Sequence, residues 1–261
     1  MRIALGIEYD GSAFSGWQIQ AGTIHTVQAT LEKALSKLAD QKIDQCQVAG
    51  RTDSGVHATE QVIHFDTNVE RTDRSWVLGC NRYLTAQTIS VLWAHQVDND
   101  FHARFSAQRR RYRYVILARE IRPTFLSKQV AWYRGSLDLK RMQSAAKYFV
   151  GEHDFDSYRT VHCQAKSPVK TVYFLNVSQR GEYFFIDIEA NSFLHHMVRN
   201  IAGVLLKIGS GDASPEWADE VLEAKDRSKG GKTAPSEGLY LTNVTYDKKF
   251  NLPTIDSTTI I

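Results

Sequence analysis

The chain has 261 residues, 43% hydrophobic and 23% charged, which is the composition of a folded globular protein and excludes a disordered or fibrous one. No apolar run approaches the roughly 18 residues that span a bilayer, and MRIALGIEYDG meets Glu8 and Asp10 too early for a signal peptide, so a cytoplasmic protein without a membrane partner is expected. The net charge of +3 is uninformative as a total, and the scattered Cys46, Cys80 and Cys163 form no CxxC pair, which argues against a disulfide framework or a zinc site.

Ile3, Leu5, Ile7 and Tyr9 alternate with Arg2, Ala4, Gly6 and Glu8 and predict a strand, followed by the loop DGSAFSGWQIQAG. Val27, Leu31, Ala34, Leu35 and Leu38 recur at helical spacing. The stretch QVAGRTDSGVHA (47–58) then sets one carboxylate, Asp53, between glycines and two residues from Arg51. A tight turn alone accounts for Asp, Ser and Gly at such a place. A chemically active carboxylate is the other reading, and the stretch by itself does not choose. QVIHFDT reads as a half-buried strand, Arg74–Tyr83 as a helix, and ISVLWAHQV as an apolar run.

The second half repeats the style. RYRYVILA is a strand, and Leu139, Met142, Ala146 and Phe149 mark a helix ending near Gly151. KTVYFLNVSQRGEYFFIDIEA predicts a hairpin turning at Gly181, with Phe184, Ile186 and Ile188 on one face. FLHHMVRNIAGVLLKIG is a largely buried helix, SPEWADEVLEAKD a helix opening at Ser214 and Pro215, and GLYLTNVTYD a closing strand. Hairpins mixed with crossovers give an α+β class with mainly antiparallel sheet, in two similar α/β halves. The expected division is 1–103, carrying Asp53, then 104–247, then a tail over 248–261.

Charge is concentrated at 104–122, where seven arginines face one glutamate: net +6 in nineteen residues, so the rest of the chain carries net −3. Arginine interleaved with tyrosine suits phosphate contact and base stacking, which assigns Arg109, Arg110, Arg111 and Arg113 to an RNA backbone. A solvated edge strand guarded by cations is the alternative. Tyr112 and Tyr114 share the opposite face, where core packing is the simpler role for either ring. On the apolar helix His195 and Arg199 stand four residues apart, and a buried arginine needs a partner, for which Asp53 is a candidate; a rim arginine reaching solvent is the competing reading.

Other motifs fail. GGKT at 230–233 lacks the first glycine and the preceding strand of a phosphate loop, and Pro235 interrupts the helix that should follow. Adjacent His195 and His196 diverge on a helix and share no metal easily. EHDFD lacks the spacing of a calcium loop. No metal is expected.

AGRTDSGVHA, DFHARFSA, RRYRY, FLHHMVRNIAG and EGLYL, in that order, together resemble the tRNA pseudouridine synthase A family, across nearly the whole chain except the tail. GRTDSGVH is the most specific block, and Ser54 and Ala58 stand where the family also has alanine and glycine. The resemblance implies isomerisation of uridine to pseudouridine at positions 38, 39 and 40 of the transfer-RNA anticodon arm. It implies a homodimer without cofactor or metal, working in a basic cleft between two α/β halves. It also implies Asp53 as the nucleophile and Arg199 as its charge partner. Tyr112 would lie against the target base, Leu239 would form an apolar wall, and Arg51 would assist base extrusion. A non-catalytic tRNA-binding protein or chaperone, and an RNA hydrolase pairing Asp53 with a remote acid, are the alternatives.

Overall fold

The computed structural model describes residues 1–20, 22, 25–160, 163 and 165–255, and divides into two compact units, 1–110 with 240–261 and 111–239. The division falls at Arg110 rather than after residue 103, and the closing strand compacts with the first unit rather than the second. Part of the expected tail is also core: Phe250 is buried, its ring 5.1 Å from that of Phe101. Residues 256–261 of that tail lie outside the described residues.

In the first unit β1 (Arg2–Tyr9) is followed by α1 (Val27–Ala39), β2 (Gln47–Val48), β3 (His57–Asp66), α2 (Asp73–Leu84) and β4 (Ile89–Val97). β1 runs antiparallel to both β3 and β4. Its alternation predicts one buried face, yet Ala4 and Gly6 are buried too, because the Trp93 indole of β4 lies where a Gly6 side chain would stand. Both helices begin at threonine caps: Thr26 and Thr72 accept from the backbone N–H of Ala29 and Ser75. Fully buried Trp76 of α2 meets Phe65 edge-on, 5.3 Å between centroids, which seats the helix layer on the sheet.

The second unit contains β5 (Arg109–Ala118, whose first two residues belong to the first unit), β6 (Ala131–Tyr133), α3 (Leu139–Ala146), β7 (Gly151–Asp154), β8 (Val169–Arg180), β9 (Tyr183–Ala190), α4 (Met197–Gly209) and α5 (Trp217–Ala224). Its sheet runs β5-β9-β8-β7, with β6 parallel to β5. The hairpin turns at Gly181, φ +60°, a conformation that favours glycine. Phe184, Ile186 and Ile188 share a buried face as the alternation predicts. The α4 helix starts later than its apolar pattern suggests, because His196 is left-handed (φ 64°) just before it. His195 and His196 therefore precede the helix. The stripe expected for His195 with Arg199 does not form, and the two imidazoles lie together, centroids 4.1 Å apart, rather than diverging.

The chain then returns to the first unit as β10 (Leu239–Thr245), where Tyr240 and Leu241 pair parallel with His57 and Ala58. β3 thus carries β10 beside its first residues and β2 beside its last, at His64 and Ile63. The segment between β2 and β3, which contains Asp53, leaves and re-enters the sheet within a few residues.

Candidate active site

The Asp53 loop is fixed almost atom by atom. Where the chain leaves the sheet, the Gln61 side chain brackets Gly50: its Nε2 donates to the Gly50 carbonyl at 2.6 Å, and its Oε1 receives the Gly50 N–H at 3.4 Å. Buried Thr52 is hydrogen-bonded through Oγ1 to Tyr9 Oη at 2.8 Å, and its carbonyl accepts from Trp17 N–H at 3.0 Å. Burial pushes the Tyr9 phenol up to about 12, so it stays a neutral partner throughout the physiological range. The Asp53 carbonyl accepts from Val56 N–H at 3.2 Å, closing a turn whose third residue, Gly55, has φ +78°. Such a turn demands glycine at that place.

Two more glycines let the 11–16 segment press against this loop. A Cβ on Gly16 would sit 2.8 Å from the Thr52 carbonyl oxygen, and one on Gly11 would sit 1.9 Å from that of Val56. Gly55 N–H and Ser54 Oγ both donate to the Phe14 carbonyl. Next along, buried His57 accepts the Gly11 N–H at Nδ1 (3.1 Å) and stacks on Tyr240 at 4.6 Å. Asp53 emerges half-buried, between exposed Arg51 and Ser54. A loop backbone so held has little freedom to lose on meeting a reactant.

In the second unit the residues expected at the site from sequence stand on β5, α4 and the segment leading to β10. Tyr112 is buried and meets Phe193 edge-on at 5.0 Å. Arg199, on the first turn of α4, is tied to Ala234 twice: its Nε donates to the Ala234 carbonyl at 2.8 Å, and its own carbonyl accepts the Ala234 N–H at 3.1 Å. The GGKT stretch explains how that segment comes so close. A Cβ on Gly203 would meet the Lys232 carbonyl oxygen at 1.9 Å, and one on Gly231 would crowd Gly203. These glycines admit backbone against helix; they cradle no phosphate. Arg227, Thr233 and buried Asn200 close the contact, with Thr233 Oγ1 and Arg227 Nη2 both donating to Asn200 Oδ1, at 2.7 and 3.0 Å. Tyr114 donates to the Pro235 carbonyl at 2.8 Å, and buried Leu239 donates its N–H to Ser236.

The arginine run divides into different fates. Arg110, expected at the RNA backbone, is turned inward instead. It is buried, and its guanidinium donates to the carbonyls of Ala49, Arg104 and Ala107. Arg113 forms a two-point pair with Asp187 (2.8 and 3.1 Å), and Arg111 pairs with Glu189 at 3.0 Å while lying over the Phe174 ring. Two of the expected phosphate contacts are therefore already paired with carboxylates of the neighbouring strand. Arg109 is exposed. β5 is bonded to both β6 and β9, so it is no edge strand needing charged guards.

Sequence reasoning missed Tyr9, Gln61 and Arg110 as supports of the Asp53 loop. The glycine pair at 11 and 16 was their only local signal, since nothing at Gln61 or Arg110 foretells which carbonyl each will meet.

The sequence matches the profile of a family described as tRNA pseudouridine synthase over residues 6–106 and 145–247. Among relatives, a tRNA pseudouridine synthase A of Nitrosococcus oceani is 54% identical over 253 residues, covering 97% of this chain and 96% of that one. That of Shewanella sediminis is 53% identical with the same coverage. That of Vibrio campbellii is 52% identical over 255 residues, covering 98% and 96%.

Proposed function

The chain belongs to the tRNA pseudouridine synthase family, and on that premise we propose that Asp53 is the carboxylate through which it works. The reaction is the isomerisation of uridine to pseudouridine in the anticodon stem-loop of transfer RNA. Positions 38, 39 and 40 are the uridines we assign to it. The observation that carries the assignment is the loop 50–56 itself, a lone acid on a turn braced by Tyr9, Gln61 and two close-packed glycines.

The chemistry suits one carboxylate. The N1–C1′ bond of the nucleotide breaks, the uracil turns, and a C5–C1′ bond forms; C5 loses a proton and N1 gains one. Atoms and charge balance without water, so the second carboxylate that hydrolytic glycosidases use to activate water has no task here. Arg199 is the cation assigned to the reaction, fixed at Nε by Ala234, and charge held in place before the reaction need not reorganise during it. Flipping a stacked base out costs a few kcal/mol. Tyr112 against the base, Leu239 as an apolar wall, Arg51 at the vacated stack and Arg109 at the phosphates are the groups assigned to offset that cost. A homodimer in the cytoplasm is the setting we assign. Free Cys46, Cys80 and Cys163 fit a reducing compartment, and no helix among the described residues is long and apolar enough to cross a membrane.

The deciding experiment is tritium release from tRNA labelled at uridine C5, with pseudouridine mapped in the product. Wild-type protein should release label, and Asp53→Asn should release none above background while still binding tRNA. Release by Asp53→Asn at the wild-type rate, or abasic product from wild type, would overturn the assignment.

A further inference from the structure

The turn that follows β4 presents a large apolar side chain to solvent on a backbone with hardly any freedom. Phe105 is 76% exposed. Yet all six consecutive N–H groups from Phe101 to Ser106 are satisfied. Phe101 donates to the Asp98 carbonyl, His102 to Ser106 Oγ, and Ala103 to His64 Nδ1 at 3.0 Å. Arg104 and Phe105 both donate to His102 Nδ1, at 3.1 and 3.3 Å, and Ser106 donates to the His102 carbonyl. Two carbonyls are held as firmly: Ala103 accepts from Tyr246 Oη at 2.6 Å, and Arg104 from Arg110 Nη2 at 2.7 Å.

The ring itself stands beside polar, cationic neighbours. The His102 imidazole lies 4.4 Å from it, and the exposed Arg104 guanidinium lies over it at 5.6 Å. Burial and the nearby positive charge of Arg2 push His64 down to about 4, and burial lowers His102 as well, so both imidazoles are neutral acceptors when the turn is intact. The turn is also wired to the Asp53 loop, because the Arg110 nitrogen that donates to the Arg104 carbonyl donates to Ala49 as well, at 3.0 Å. A single exposed aromatic is ordinary. An aromatic on a pre-ordered turn, crossed by a guanidinium and joined to the lead-in of the site, has paid its ordering cost before any partner arrives.

We propose that Phe105 is a stacking platform for an unpaired base of the RNA substrate, with Arg104 meeting the adjoining phosphate. The proposal deepens the synthase reading and rests on it. Every base offers a π-face, and such stacking is worth roughly 5- to 100-fold in affinity per base, without demanding a particular sequence. The exposed Arg104 guanidinium over the ring favours a polyanion over an apolar protein partner.

The test is the Kd of an anticodon stem-loop RNA at several salt concentrations, with pseudouridine formation measured in parallel. Phe105→Ala and Phe105→Leu should each weaken binding roughly 5- to 100-fold, leave the salt slope unaltered and leave thermal unfolding unchanged. Phe105→Trp should restore affinity, and its fluorescence should be quenched by the stem-loop but not by a blunt, fully paired duplex. Arg104→Gln should instead lower the salt slope by about one. Wild-type affinity in Phe105→Ala would overturn the proposal, as would equal losses on the duplex. Dissociation of a dimer by Phe105→Ala, with RNA affinity per subunit intact, would give the ring to a second copy and overturn it too. If wild type binds in a Phe105-dependent way but forms no pseudouridine, the synthase reading falls and the platform stands. If wild type does not bind the stem-loop at all, both fall.

Discussion

Two loops, 50–56 in the first unit and 231–236 in the second, are immobilised by different means. The first is held mainly by side-chain hydrogen bonds from the Tyr9 hydroxyl and the Gln61 amide and by the backbone of residues 14–17, with the Arg110 guanidinium on the Ala49 carbonyl at its lead-in. The second is held by a guanidinium, Arg227, and by backbone laid directly on α4 at Gly203. The first loop carries an acid, Asp53, at its middle, and the second presents the Ala234 carbonyl to the Arg199 guanidinium. The difference teaches that a loop can be made rigid either by long-range side-chain hydrogen bonds or by glycine-permitted backbone contact.

The contrast can be broken at each end. Gly203→Ala has the largest expected effect, because its Cβ would stand 1.9 Å from the Lys232 carbonyl oxygen and backbone yields only at high cost. A loss of about 1–3 kcal/mol in urea unfolding is expected, with kcat falling as Ala234 is pushed off Arg199. Gln61→Leu follows: it strips the side-chain partners of half-buried Gly50 and should cost about 1–3 kcal/mol, since a hydrogen bond left unmade away from water carries a desolvation penalty. Its kcat should fall while the salt dependence of tRNA binding is kept, because no charge is removed. Tyr9→Phe deletes two neutral bonds, to Thr52 at 2.8 Å and a long one from Gln61 at 3.5 Å, and should cost about 1 kcal/mol, with turnover down several-fold. A kcat loss in Gln61→Leu matched by an equal loss of RNA affinity would count against a positioning role.

One further effect is absent at neutral pH and appears only on acidification. His64 sits at about 4 in the folded protein against 6.5 ordinarily. The unfolded chain therefore binds the proton more tightly. Stability should be full above 6.5, decline as pH falls from 6.5 towards 4, and gain no further loss from this group below that. Urea midpoints across this window should show the decline in wild type and a flatter profile in His64→Gln.

Much of the site was legible residue by residue. The Asp53 turn follows from Gly55 and its neighbours, the β8–β9 hairpin from Gly181, and the alternation of Tyr112 and Tyr114 with Arg111 and Arg113 from the period of two. Less legible was the direction of each polar side chain. Arg110 reads as a phosphate contact beside Arg109 and Arg111, and only its long-range partner, Ala49, 61 residues away, shows otherwise. GGKT is excluded as a phosphate loop by the sequence itself, but why Gly231 stands there is seen only with Gly203 beneath it. His195 and His196 read as helical until a left-handed residue ends the pattern.

Strands, helices, turns and family membership were thus settled by the sequence alone, because hydrophobic period and turn chemistry act between neighbours and the signature blocks are contiguous. Tertiary structure alone decided which arginines were committed internally, which glycines permit close approach, and which buried side chains brace the acid. The reason is physical: a hydrogen-bonding group is indifferent to how far along the chain its partner lies, and only the packed fold brings the two together.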